Sequence, residues 1–154
     1  MTIDTKEALR YLGYRGREAD PRGLSEIAAC SQEILNAAVP RHRAVRIPVE
    51  RGPEGALTIA GLSLVSRDLQ GHLRSCKEAF LFGATLGPQV DALLRRYSVT
   101  AMSRAVICQA CAAAAIESFC DEVEEELRRS VEPEGLFLRP RYSPGYGDFP
   151  IQWQ

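Results

Sequence analysis

A chain of 154 residues with a formal charge of −1, 45% hydrophobic and 25% charged, has the makeup of one ordinary globular domain. A domain this size buries roughly 70% of its unfolded surface, so its core needs neither disulfides nor metal. The near-neutral balance excludes a global field for nucleic acid or anionic lipid, and the longest apolar stretches are too short to span a bilayer. Its bases are almost all arginine, with Lys6 and Lys77 the two lysines; arginine grips a carboxylate or phosphate through two parallel bonds. The opening MTIDTKEALRYLGYRG lacks a charged leader followed by an apolar core, so no secretory signal is expected. The five cysteines are then expected as reduced thiols in the cytoplasm.

In chain order, residues 4–12 predict a helix capped by Asp4, with Ala8, Leu9 and Leu12 inward. Gly13 and Gly16 interrupt it, and GYRGREADP reads as a loop. A second helix spans about Arg22 to Ala38, where Leu24, Ile27, Ala28, Cys30, Ile34 and Leu35 keep helical spacing; Pro40 ends it. From Arg43 the period changes to two. Val45, Ile47 and Val49 alternate with Arg46, Pro48 and Glu50 as a half-exposed strand, and Pro48 suggests an edge. RGPEG reads as a turn, and ALTIAGLSL as a second strand with a glycine kink. Ser66 and Asp68 can cap a short helix, AFLFGATLG is an apolar strand with a glycine exit, and Pro88 opens the next helix.

Residues 100–130 carry the longest helical signal. Ala105, Ala112 and Ala115 permit close approach of neighbours, and Ile116, Phe119, Val123 and Leu127 continue the inward stripe. Cys108 and Cys111 form a CxxC inside this helix, and there they read as buried small hydrophobes rather than metal or redox ligands. Glu117 sits beside the apolar stripe, either as a boundary glutamate whose head reaches water or as a group held for a ligand. The last part of the chain, 131–154, holds five of the eleven aromatic residues. A disordered tail would avoid so many rings, so this one is expected to pack. Within it, RPRYSPGYGDFP can be neither helix nor regular strand, because Pro144 removes a donor and Gly145 and Gly147 admit positive φ. It reads either as a surface turn or as a loop offering a guanidinium, aromatic faces and peptide groups to a small zwitterion joined to a flat ring.

Several chemistries lack their residues. There is no GxxxxGK, GxGxxG, HExxH or GxSxG, and His42 and His72 have no convincing nucleophile beside them. The basic run RHRAVR at 41–46 merges into the alternating strand and reads as solvated strand residues rather than a nucleic-acid patch.

EALRYLGYRG, DLQGHLRSC, AFLFGATLG, AAIESFCDEVEEEL and RYSPGYGDFP follow one another in an order that resembles the activation (reactivation) domain of cobalamin-dependent methionine synthase. It is similar, more closely, to the free-standing, single-domain version, over about residues 5–150. The resemblance implies an α+β fold, with a twisted antiparallel sheet flanked by helices, over one domain at 1–154 with N-terminal helices at about 4–38. It implies binding of S-adenosylmethionine and service to a corrinoid-binding methyltransferase module, which carries the cobalamin, with a flavodoxin-like protein as electron donor. Methyl transfer would then occur only with that partner.

Residue by residue, the resemblance places Arg141 on the ligand carboxylate, Gly145 and Tyr146 at the adenosine, and Ser143 at a position whose backbone contributes. Glu117 would hold the ammonium or a ribose hydroxyl. Asp148 belongs to the free-standing form of the motif without an assigned role. Relatives usually continue well beyond the Gly-Tyr element, so the fold is expected to be C-terminally short, which favours self-association or partner docking. The alternative reading is a truncated, non-catalytic module that docks on a corrinoid protein without using S-adenosylmethionine.

Overall fold

The structure is a computed structural model and describes residues 1–14, 19–52 and 56–154. Parts of the expected GYRGREADP loop and RGPEG turn lie outside the described residues. The fold is α+β: five α-helices and a four-stranded antiparallel open sheet among the described residues. The chain clusters into two compact units, 1–42 with 84–135 and 43–83 with 136–154.

The first unit is helical. Helix α1 (Thr5–Tyr11) starts where the Asp4 carboxylate accepts from the Lys6 N–H at 2.8 Å. Helix α2 (Pro21–Ala37) starts where Asp20 accepts from Arg22 and Gly23, each at 2.9 Å, with Pro21 in the first turn. In both, a side-chain oxygen satisfies backbone donors that no helical carbonyl can reach. Helix α4 (Pro88–Thr100) and the 30-residue α5 (Met102–Val131) are separated by Ala101 alone, whose extended φ of −157° breaks the helical run.

The α5 stripe of Ala105, Cys108, Cys111, Ala112 and Ala115 is buried, and its last four members pack with Ala8, Ile27, Cys30, Ile34, Leu86 and Val90. Small side chains on α5 let its neighbours approach closely, so this core is built from backbone proximity as much as from bulk. A polar clamp also ties these helices together. Glu33 on α2 accepts from the Tyr97 hydroxyl on α4 and from Arg104 on α5, both at 2.6 Å, and Arg104 also reaches Glu26 at 2.7 Å. These bonds hold the Glu33 carboxyl below the ordinary carboxylate range, Tyr97 first and Arg104 second.

The second unit holds β2 (Leu57–Ile59), β3 (Leu62–Leu64), helix α3 (Arg67–His72), most of β1 (Arg41–Arg51) and β4 (Glu78–Thr85), and the C-terminal segment. The strand order is β3-β2-β1-β4. β1 therefore lies inside the order rather than at an edge, but its ladder with β2 covers only Val49–Ile59, Glu50–Thr58 and Arg51–Leu57. Pro48 stands just beyond that ladder, where its missing N–H costs no β2 bond.

The segment expected as one strand with a glycine kink is instead a hairpin of β2 and β3, paired Leu57–Leu64 to Ile59–Leu62. Its two turn residues, Ala60 and Gly61, both have positive φ (52° and 78°), as a two-residue hairpin turn of type I′ requires. An alanine in the left-handed region hid the turn from a composition-based reading. Val49, Leu57, Leu64, Leu69, Leu73 and Phe149 form this unit's core, with Tyr142 packed against it.

Candidate functional site

The C-terminal segment leaves α5 through a single 3₁₀ turn (Glu132–Glu134) and Gly135, then runs without regular structure to a second 3₁₀ turn at Ile151–Trp153. Its expected packing is realised unevenly: Phe149 is buried, Tyr142 half-buried, Tyr146 56% exposed and Phe137 95% exposed. The approach to the loop is fixed by Arg139, which donates to the His72 carbonyl at 2.7 Å, and by the His72 ring Nε2 at 2.9 Å from the Pro140 carbonyl. The His72 and Tyr142 rings then lie 5.0 Å apart, and Tyr142 stacks on Phe149 at 6.4 Å.

Between Ser143 and Phe149 the chain closes on itself. The Tyr146 N–H donates to the Ser143 carbonyl (3.1 Å), Phe149 N–H to the Tyr146 carbonyl (2.9 Å) and Gly145 N–H to the Phe149 carbonyl (2.7 Å). The Tyr142 hydroxyl also donates to the Tyr146 carbonyl at 3.3 Å, with the two rings edge to face at 5.8 Å. Gly145 and Gly147 have φ of 92° and 52°, so the reversal uses the backbone region that glycine enters without steric cost.

Asp148 joins this loop to α3. Its carboxylate accepts from the Ser66 hydroxyl, from the Arg67 N–H at 2.8 Å and from the Asp68 N–H at 3.2 Å. Ser66, the buried N-cap of α3, accepts in turn from the Leu69 N–H at 3.0 Å. The first three amides of α3 are thus capped, two of them by a residue some 80 positions away. The Asp148 N–H completes the exchange by donating to the Asp68 carboxylate at 3.1 Å. The Ser66 hydroxyl first, and the Arg67 amide second, hold the Asp148 carboxyl below its ordinary range. At the other end of the α3 segment, Arg51 donates to the carbonyls of Leu73 (2.6 Å), Arg74 and Cys76 (both 3.1 Å).

Arg141, Ser143, Gly145 and Tyr146 therefore share one pinned loop in the second unit, Arg141 and Ser143 half-buried and the other two exposed. The amides of Gly145 and Tyr146 are spent inside the loop. What it presents outward is the Tyr146 ring, and the residue five positions before it is the half-buried Arg141. Such a pair suits a flat heterocycle and a carboxylate. Glu117 lies on α5 in the first unit with its side chain exposed.

The residue that sequence reasoning left without a role, Asp148, is the one that ties the loop to α3. Two open surface hollows, one along the acidic side of α5 (Asp121, Glu122, Glu125, Glu126, Arg129) and one at Tyr11, Leu12, Ala105 and Val106, include none of the five candidates. Cys30, Cys108 and Cys111 are buried thiols, and burial pushes the Cys30 thiol up to about 12. No group of three or more His, Cys, Asp or Glu side chains among the described residues is arranged to hold a metal ion. Among those residues no helix is long and apolar enough to cross a membrane. No protein-family model matches the chain, and no curated protein matches it.

Proposed function

We propose that the protein binds S-adenosylmethionine on the 141–149 loop and presents its methyl group to a cobalamin carried by a separate corrinoid methyltransferase module. The observation that carries this reading is the Arg-Tyr-Ser-Pro-Gly-Tyr loop itself, with the Tyr146 ring turned outward and half-buried Arg141 at its start. The ring would stack on the adenine, and the guanidinium would take the carboxylate through a charge-assisted fork. Because the Gly145 and Tyr146 amides are engaged within the loop, recognition would rest on side chains and carbonyls. In the partner, one electron from a flavodoxin-like donor would reduce Co(II) to Co(I), which would take the methyl and release S-adenosylhomocysteine. No general base is needed for that attack, in keeping with the absence of a catalytic His or Cys set in the loop.

Calorimetric titration of the 154-residue chain with S-adenosylmethionine tests the reading. Saturable binding near micromolar affinity, about −8 kcal/mol, is expected. Arg141→Ala should weaken it by roughly 10- to 150-fold, the equivalent of a charged hydrogen bond worth about 1.5–3 kcal/mol. Absence of binding by the native chain, or unchanged affinity in the variant, would overturn the assignment. A second reading, a module that docks on a corrinoid protein without using the ligand, is favoured by the almost fully exposed Phe137 ring. Corrinoid-protein binding with no affinity for S-adenosylmethionine would select it.

A further inference from the structure

We propose that Asp148 is a positioning residue that latches the 143–149 loop to α3 and thereby sets Tyr146 and Arg141 for their ligand. The ligand's identity rests on the reading above; the latch itself rests on geometry. The three backbone hydrogen bonds among Ser143, Gly145, Tyr146 and Phe149 close the loop on itself but attach it to nothing else. A seven-residue stretch with one proline and two glycines at positive φ has many alternative shapes available to it.

Two attachments remove that freedom. One is burial of Phe149 in the core of the second unit. The other is Asp148, with bonds to the Ser66 hydroxyl, the Arg67 amide and the Asp68 amide, and the return bond from its own amide to Asp68. The fit is tight. A β-carbon at position 147 would stand 2.0 Å from Asp68 Oδ2, so any side chain there must push the Asp68 carboxylate aside.

Tyr142 transmits the constraint along the loop. It stacks on Phe149, meets Tyr146 edge to face and donates to the Tyr146 carbonyl. Arg141 is its immediate neighbour. Release of Asp148 would thus loosen the Tyr146 ring and the backbone that carries Arg141. Preorganisation of this kind raises affinity by lowering the ordering cost at binding.

The test is amide hydrogen exchange at Gly145, Tyr146 and Phe149 in the full chain, read beside S-adenosylmethionine affinity at a temperature where circular dichroism shows each variant folded. Asp148→Ala should speed exchange at these amides at least tenfold and weaken binding about tenfold. Gly147→Ala should act in the same direction through a different atom, and Asp148→Asn, which keeps one acceptor oxygen, should recover part of both. Ile27→Val, which trims the helical core of the first unit, should lower stability and leave both readouts unchanged.

Wild-type exchange rates in Asp148→Ala would overturn the latch. So would faster exchange with undiminished affinity, or an Ile27→Val variant indistinguishable from Asp148→Ala. If the native chain binds no S-adenosylmethionine, the ligand reading fails, and the exchange rates alone still decide whether Asp148 holds the loop.

Discussion

Gly147→Ala probes the closest packing in the loop. The added β-carbon would lie 2.0 Å from Asp68 Oδ2, 2.8 Å from its Cγ and 3.0 Å from its Cβ, at a backbone φ of +52°. Two costs follow. A non-glycine residue in the left-handed region costs about 1–2 kcal/mol, partly offset by about 0.4–1 kcal/mol from the stiffer unfolded chain. Moving the Asp68 carboxylate aside breaks its bond with the Asp148 amide, a further loss of about 1 kcal/mol. The sum is about 2 kcal/mol, which for a urea slope of about 2 kcal/mol/M moves the midpoint down by about 1 M.

Urea unfolding followed by circular dichroism measures it, and Asp68→Ala separates the two parts. In that background the carboxylate is gone, so Gly147→Ala should cost about 1 kcal/mol less than in the native chain, a coupling typical of residues in contact. A cost below about 0.5 kcal/mol, or one independent of Asp68, would refute the steric argument.

Other expectations can be checked with equally simple measurements. Ala60→Asn should raise stability by about 0.5–1 kcal/mol in the same urea assay, because asparagine tolerates the left-handed turn position better than alanine; a loss would mean the turn is not of this type. Under native conditions Cys76 and Cys120, which are partly exposed, should react with an aromatic disulfide reagent well before Cys30, Cys108 and Cys111. Equal rates for all five would contradict the buried placement.

Because burial pushes the Cys30 thiol up to about 12, its contribution to stability should be complete below the ordinary thiol range and decline as pH rises through that value. Denaturant midpoints that stay flat on the alkaline side, or that fall equally in Cys30→Ala, would count against it. Glu33 has the opposite sign. Its depressed carboxyl contributes stability above the ordinary carboxylate range, lost as pH falls below it, so Glu33→Gln should flatten the acid limb of the stability profile. An unchanged limb would place the acid sensitivity elsewhere.

The helices were legible because their signals are local. Asp4, Ser66 and Pro88 each announce a helix start within three residues of the bonds they make or the turn they open, and the α5 stripe repeats at helical spacing over thirty residues. What escaped was decided at a distance or against propensity. The β2–β3 turn was masked by alanine standing where glycine or asparagine is usual. Pro48 looked like an edge because sequence shows a proline but not the length of the neighbouring ladder. Asp148 has no local pattern at all: its partners are residues 66–68, and no window of local sequence spans that separation. The candidate loop was legible as a loop; its anchor was not.

The second unit is assembled from chain segments 43–83 and 136–154, with the complete α4 and α5 helices between them. During synthesis, β1 to β4 and α3 therefore emerge before the pieces that finish their core and cap their helix. Phe149 and Asp148 reach them only after some 65 further residues have been added, about 3–13 s at ordinary translation rates. Through that interval Leu57, Leu64, Leu69 and Leu73 lack the aromatic ring that later shares their core. The first unit is split as well, and it has every helix in hand once Val131 is made, 18 residues before Phe149. Nascent-chain folding should accordingly complete the helical unit first and the sheet-bearing unit last.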